Sequence, residues 1–362
     1  MKETIIKLLK EKPGLKGREI AKKIGVDKKE VNSFLPKYPN EFIQDGDFCW
    51  FLVNSKQIKI EFDKKWVDRN IFESSLQKAG SPLDFDCTSV VFVIPEGCKI
   101  LLDAAARLLA LCNQLILLNR SVKVDFSDCL STFHYFNRIG FLNHLDENIE
   151  VSPERPKVSA SETYKGNSNA VVEFGAVDPS QTNKALINQL SDAFVQQSHS
   201  RYEAAVFTVF GELIGNIKEH SKSAISGFAA LQKYEGKGRL KKHIQTVISD
   251  SGLGIANTLR PSLKEHHPHL YKLHKVANIE SDIELVIATM SKGEISRLGK
   301  GRGMGFKSSR EQAMKFDAQL SVRQERFCLD FIYKDGELME VKKELNLPKI
   351  LGTHICFDFF VD

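Results

Sequence analysis

Glu212-Leu-Ile-Gly-Asn216-Ile-Lys-Glu-His220 carries more information than any other stretch of this chain. Its pattern is helical and sets Glu212, Asn216 and His220 at i, i+4 and i+8, on one face. Phe207, Val209, Phe210, Leu213, Ile214 and Ile217 make the helix, expected over about 202–221, too apolar to stand free in water. Further on, the apolar run Ile244-Gln-Thr-Val-Ile248 leads into Asp250-Ser-Gly252-Leu-Gly254-Ile255. That turn puts an aspartate and two glycines at a strand's exit. A third segment, Gly299-Lys300-Gly301-Arg302-Gly303-Met304-Gly305-Phe306, has glycine at every second position. Alternating glycines expose successive N–H groups as an anion nest. The run Phe306–Phe316 looks helical, so its N-terminus would aim positive potential at the same anion. A carboxylate and an amide on a helix, an aspartate on a strand and a glycine-rich loop together describe a nucleoside triphosphate site.

The order of these segments resembles the GHKL ATPase superfamily, which includes DNA gyrase B, mismatch-repair ATPases, chaperone ATPases, histidine kinases and anti-sigma-factor kinases. The resemblance maps Glu212-x-x-x-Asn216-x-x-x-His220 onto the N box, Asp250-x-Gly252-x-Gly254 onto the first glycine box, and 299–306 onto the second. Leu351-Gly352-Thr353-His354-Ile355, before a final apolar run, matches the Gly-Thr step that contacts adenine. The match covers residues 171–362 and implies a Bergerat fold, with helices on one face of a mixed sheet and ATP held between them. It implies Asn216 as the Mg²⁺ ligand, an octahedral ion that keeps waters and bridges phosphates through few protein atoms. Glu212 would polarise the attacking water. Asp250 would accept from the exocyclic amine of adenine, and Thr353 would reach the base through its hydroxyl. Gly252 and Gly254 would let the backbone approach base and ribose. Lys300, Gly301, Arg302, Gly303, Met304 and Gly305 would cradle phosphates. His220 would steady Glu212 or the phosphates, unless it only interacts with the helix-end carbonyls. Asp250 also fits a plain Asp-Ser-Gly turn, and the 299–306 loop a hinge.

Other nucleotide folds are excluded on spacing. No G-x-x-x-x-G-K-[ST] occurs, and the glycine loop does not follow a strand as G-x-G-x-x-G. Between the two glycine boxes, Arg260–Leu298 reads as a lid-like insertion containing His266, His267, His269 and His274. With 362 residues the chain has room for two or three domains. A net charge of +5 permits a nucleic-acid contact without requiring one. Seven cysteines without C-x-x-C spacing fit reduced thiols. No apolar stretch approaches 18 residues, so a cytoplasmic, membrane-free protein is expected.

The whole is expected to be α/β of the α+β type. Residues 1–54 give three helices and a hairpin, Phe42-Ile-Gln returning as Phe48–Val53, and resemble a winged helix-turn-helix. Leu15–Gly25 is expected as the second helix with Gly25 closing it, and Asp27 as N-cap of the third, whose Lys28, Lys29, Asn32 and Ser33 would face DNA. Residues 55–150 alternate strands (Val90–Ile94, Val122–Phe126) with a long apolar helix over 99–118, loosely resembling a STAS domain. Leu130-Ser-Thr-Phe-His-Tyr135 stands where that family's antagonists carry their phosphoacceptor step, and it lacks that motif. Residues 151–170, rich in Ser, Pro and charge, read as a linker or long surface connection. Three functions follow from this organisation. The first is a Mg²⁺-dependent ATPase acting as a nucleotide-gated switch on the N-terminal units or on a protein partner or homodimer. The second is an anti-sigma-type serine/threonine protein kinase. The third is a DNA-binding regulator that senses ATP.

Overall fold

A computed structural model of the chain describes residues 1–12, 14–39, 41–44, 48–52, 57–63, 65–85, 87–168, 170–178, 180–220, 223–236, 242–292 and 317–360. It is a mixed α/β structure with three hydrophobic clusters. None of the described helices is long and apolar enough to cross a membrane.

The N-terminal cluster is small. Helix α1 (Lys2–Glu11) is followed by strand β1 (Leu15–Lys16), helices α2 (Gly17–Ile24) and α3 (Lys28–Phe34), and strands β2 (Phe42–Gln44) and β3 (Cys49–Leu52). The strands form one sheet in the order β1-β3-β2. Ile5, Leu9, Ile20, Val31, Leu35, Phe42 and Trp50 close its core. Gly25 ends α2 in the left-handed region with φ 73°, and the Asp27 carboxylate accepts from Lys29 N at 2.6 Å as the α3 cap. The expected second helix starts late, because Leu15 and Lys16 pair with Trp50 and Cys49 as a strand. Burying Leu15 against Trp50 outweighs two residues of helix propensity, which is worth only tenths of a kcal/mol per residue.

The middle of the chain builds a parallel sheet from β4 (Gln57–Glu61), β6 (Ser89–Val93), β8 (Ser121–Asp125) and β9 (Glu150–Ser152), in sequential order. Strands β5 (Trp66–Val67) and β7 (Lys99–Ile100) make a second, two-stranded parallel pair. Helices α4 (Arg69–Ala79), α5 (Leu102–Leu117), α6 (Leu130–Arg138), α7 (Phe141–His144) and α8 (Ala160–Thr163) connect or follow these strands. Residues 151–170 are a packed surface connection. Arg155 donates to the carbonyls of Leu142, Leu145, Asp146 and Ile149, and Ser161 is buried.

The C-terminal half forms a seven-stranded sheet in the order β10 (Val171–Val177), β11 (Gly227–Tyr234), β12 (His243–Asp250), β16 (Thr353–Phe360), β13 (Ala318–Gln324), β14 (Phe327–Lys334) and β15 (Glu337–Glu344). The mixed sheet implied by the family resemblance is not what the described residues form, since every pairing among them is antiparallel. The reason is connectivity. β11–β12 and β13–β14–β15 follow one another by short returns, which reverse strand direction, whereas parallel neighbours need a long crossover. The exposed edge strand β15 reads Glu-Leu-Met-Glu-Val-Lys-Lys-Glu, and its charges discourage edge pairing with a second chain.

Side-chain alternation along these strands feeds two cores at once. Ala229, Leu231, Ile248, Ile355, Phe357 and Phe359 join the cluster under helices α9 (Lys184–Gln197), α10 (Glu203–His220), α11 (Ile255–His266), α12 (Pro268–His274) and α13 (Ile279–Lys292). Phe228, Ala230, Val247 and Cys356 face the other way and join the core of the middle unit. Helix α5 fills the space between the two sheets, and every residue from Leu102 to Leu115 is buried. This explains why apolar residues lie all round it, with Asp103, Arg107, Asn113 and Gln114 as buried exceptions. A helix covered on both sides has no polar face to show, and each of Leu108, Leu109, Leu111 and Leu115, at 0% exposure, contributes about 1.5–3 kcal/mol.

Charges lock the two units together inside that interface. Glu73 of α4 bonds Arg107 of α5 at 2.7 Å and Arg323 of β13 at 3.0 Å, all three at most 4% exposed as side chains. Arg69 pairs with Asp330 of β14 at 2.8 Å, and the Asp330 carboxylate also accepts from Ser321 at 2.6 Å. Removing one member of such a buried set strands the others. Arg323→Met is therefore expected to lower unfolding free energy by about 3–5 kcal/mol in urea titrations. Arg326→Met, which breaks the far more exposed pair with Asp84, should cost less than about 1 kcal/mol.

Candidate functional site

Strand β12 ends on Asp250, which the register sets opposite Thr353, the first residue of β16. The residues are separated by a hundred positions in sequence and neighbour one another through the sheet alone. The Asp250 carboxylate accepts from Gly252 N at 2.6 Å, and the neighbouring Thr353 hydroxyl and N–H favour its ionised form. Burial raises its pKa to about 6, and Gly252 and Thr353 hold it from rising further. A carboxylate offers roughly four acceptor positions. Gly252 N takes one of them, which leaves acceptor capacity for a donor on a ligand. The turn-forming role of Asp250 is thus present, and it does not exhaust the group.

Backbone geometry around this carboxylate admits only glycine at two places. Gly352 has φ +93°, and a Cβ there would run into the carbonyl oxygen of Asp250. Gly254 has φ +77°, and its Cβ would lie 2.7 Å from Gln324 Oε1. That same oxygen accepts from Ile255 N at 2.9 Å, which fixes the start of α11 beside the turn. The flanking residues are also bonded. Ser249 donates its hydroxyl to Nδ1 of His354, and His354 donates from Nε2 to the Leu351 carbonyl at 3.0 Å. Burial, with Arg323 and Arg107 nearby, drives the His354 pKa down to about 3, so the ring is neutral and its tautomer follows from these two bonds. His354 stands beside the Gly352-Thr353 step, which gives it no role, because a buried hydrogen-bonded histidine has no sequence signature.

Helix α10 supplies the next groups. Its buried face is Ala205, Val206, Val209, Phe210, Leu213, Ile214 and Ile217. A half-exposed stripe runs beside it through Thr208, Gly211, Glu212, Gly215 and Asn216, the i, i+3, i+4 spacing of one helix face. Among the described residues, a Cβ added at Gly211 or Gly215 would meet nothing within 4 Å. Asn216 Nδ2 is buried and has no hydrogen-bond partner among the described residues, an arrangement that costs about 1–3 kcal/mol unless a ligand meets it. The helix turn carrying Asn216 lies over the strand end that carries Asp250. A Cβ on Gly227 of β11 would lie 2.7 Å from Ile217 Cγ2 and 2.9 Å from the Ser249 carbonyl oxygen.

The remaining expected residues divide into three groups. His220 is the last residue of α10, and its side chain lies outside the description. Lys300, Gly301, Arg302, Gly303, Met304 and Gly305 fall outside the described residues altogether. Lys28, Lys29, Asn32 and Ser33 are exposed on α3 of the N-terminal unit. Asn32 and Ser33 are partly committed there, Asn32 Oδ1 filling the place a Cβ on Gly17 would take and Ser33 donating to the Glu30 carbonyl at 3.0 Å. The stretch expected as a lid, Arg260–Leu298, departs from that reading over residues 260–292. Leu263, Leu270, Ile283, Leu285, Val286 and Met290 are core residues beneath the sheet. Arg260 pairs with Asp282 and donates to the His274 carbonyl at 3.0 Å. The position between two glycine boxes suggested a cover.

Compared with protein-family models, curated proteins and solved structures, the chain matches none.

Gly352→Ala is expected to lower stability by about 1–3 kcal/mol through its φ alone, with the collision at Asp250 adding to it. The thermal unfolding midpoint reads the effect. Gly25→Ala, at a comparable φ of +73° but with nothing within 4 Å, should show only the backbone part.

Proposed function

We propose that the C-terminal half binds ATP with Mg²⁺ and hydrolyses it, as a nucleotide-gated switch of the GHKL type. The observation that carries this reading is the Asp250–Thr353 pair. It is a nearly buried carboxylate, raised in pKa and still offering an acceptor position at the end of a strand. An exocyclic amine satisfies that position, and the six-oxo group of guanine, an acceptor, would face the carboxylate unpaired. Asn216 supports the phosphate end. Turning its amide about the Cβ–Cγ bond presents oxygen where the unpartnered atom now lies, a hard ligand suited to Mg²⁺. The bound ion would neutralise phosphate charge. Glu212, one helical turn earlier on the same stripe, accepts the proton of the attacking water as its oxygen bonds to the γ-phosphorus and the bond to the β-phosphate oxygen breaks. The same geometry serves a serine hydroxyl in place of water, which is the kinase alternative.

The N-terminal unit is proposed as a winged helix-turn-helix output module. Its partner is DNA or protein, and Lys28 and Lys29 are the exposed cations of α3. Loss of retention on duplex DNA as salt rises would mark phosphate contacts.

Glu212→Ala is expected to retain ATP and lose phosphate release, and Asn216→Ala to lose affinity for Mg·ATP. Unchanged turnover in Glu212→Ala would remove this mechanism, and radiolabel on a second protein would favour the kinase. The pH dependence has a defined sign. The folded pKa of Asp250 lies above its ordinary value of 3.8, so ionising it destabilises the fold as pH rises from about 4 to about 6. A ligand amine needs the ionised form, so binding strengthens over the same range. Adenosine, which has no phosphate to titrate, is expected to bind about tenfold more weakly at pH 5 than at pH 7.5, measured by calorimetry.

A further inference from the structure

Gln114 lies on α5 of the middle unit, at 1% exposure, and belongs to none of the segments that mark the nucleotide site. Its Nε2 donates to Ser251 Oγ and to the Leu351 carbonyl, both at 2.9 Å, and its Oε1 accepts from Leu351 N at 2.9 Å. Ser251 directly follows Asp250, and Leu351 precedes the Gly352-Thr353 step. Three hydrogen bonds from one side chain therefore hold both loop ends that bring Asp250 and Thr353 together. With Ser249, His354 and the Leu351 carbonyl they complete a continuous chain of hydrogen bonds. It leaves the strand one residue before Asp250 and returns one residue after it.

We infer that Gln114 is a positioning residue through which the middle unit sets the geometry of the adenine end and reads its occupancy. This rests on the ATP reading above. The amide has its two donors and one acceptor fully engaged, so a shift of α5 relative to the strand ends breaks bonds on both loops at once. Buried amides satisfied in this way tolerate little displacement. An adenine amine bonded to Asp250 stiffens the same turn from the other side. Coupling of this kind is reciprocal: whatever α5 contributes to nucleotide affinity, the nucleotide returns as order in α5. The middle unit is thereby part of the nucleotide site.

The test uses the full chain with Gln114→Leu, which removes all three bonds at similar volume, and Ser251→Ala, which removes one and leaves Gln114 bonded to Leu351. Dissociation constants for Mg·ATP and Mg·GTP are measured by calorimetry, with hydrogen exchange of residues 102–117 followed with and without saturating ATP. Gln114→Leu is expected to weaken ATP about tenfold, the size expected for loss of one to two net hydrogen bonds. Because GTP affinity should change less than about threefold by the same reasoning, the ATP/GTP ratio collapses. A merely structural defect lowers the folded fraction and scales both constants alike. ATP should slow exchange in 102–117 of the wild type and fail to do so in the variant. Ser251→Ala should show the same trends in smaller measure, and it decides the matter if Gln114→Leu does not fold. Wild type that binds no adenine nucleotide overturns the parent reading. Wild type that binds ATP, beside variants with an unchanged ATP/GTP ratio and unchanged protection of α5, overturns the role of Gln114 alone.

Discussion

Glu73 is almost wholly shut off from water, and two guanidinium groups from different parts of the chain meet its carboxylate. Arg107 comes from the helix that fills the space between the sheets, and Arg323 from the antiparallel sheet itself, with 0% side-chain exposure. Taking these ions out of water costs several kcal/mol each, and only mutual contact in good geometry offsets the cost. Such a set contributes little net stability compared with apolar packing of the same volume. It does fix how the units sit, because sliding or opening the interface leaves an uncompensated charge. Hydrophobic burial along α5 supplies the attraction, and Glu73 with its partners supplies the register.

That constraint reaches the candidate site. The antiparallel sheet covers one face with α9–α13 and gives the other to α5, so the strand ends carrying Asp250 and Thr353 are shaped from both sides. The carboxylate is buried because β12 and β16 pair to their ends, and its pKa is raised because it is buried. The same packing that destabilises the ionised form prepares an acceptor for a ligand donor. The proposed nucleotide chemistry and the proposed role of Gln114 both depend on this conflict between burial and charge.

Local structure was legible wherever period and capping spoke together. The apolar spacing around Glu212 gave the helix that forms over Glu203–His220, and Ile244–Ile248 lies within β12. Asp27 and Gly25 bound α3 and α2 as their chemistry requires. Leu15-Lys16 was misread as helix because two residues of strand have no period of their own, and their partner Trp50 lies far along the chain. Residues 260–292 form core where a cover is expected, because sequence position between two loops says nothing about which way a helix faces.

What the chain by itself determined was the set of amphipathic pieces, with Asp250 at a strand's end and Glu212 and Asn216 on one helix face. Those follow from interactions within a few residues, where dihedral preference and side-chain period act directly. Only the tertiary structure decided the all-antiparallel order, the sharing of α5 between two cores, and the groups brought to the turn around Asp250: Thr353 beside it, His354 bonded to Ser249 and Gln114 bonded to Ser251. Those partners lie about 100 to 140 positions from it along the chain. Their approach is set by competition among whole buried surfaces, to which no local pattern contributes enough energy to be visible.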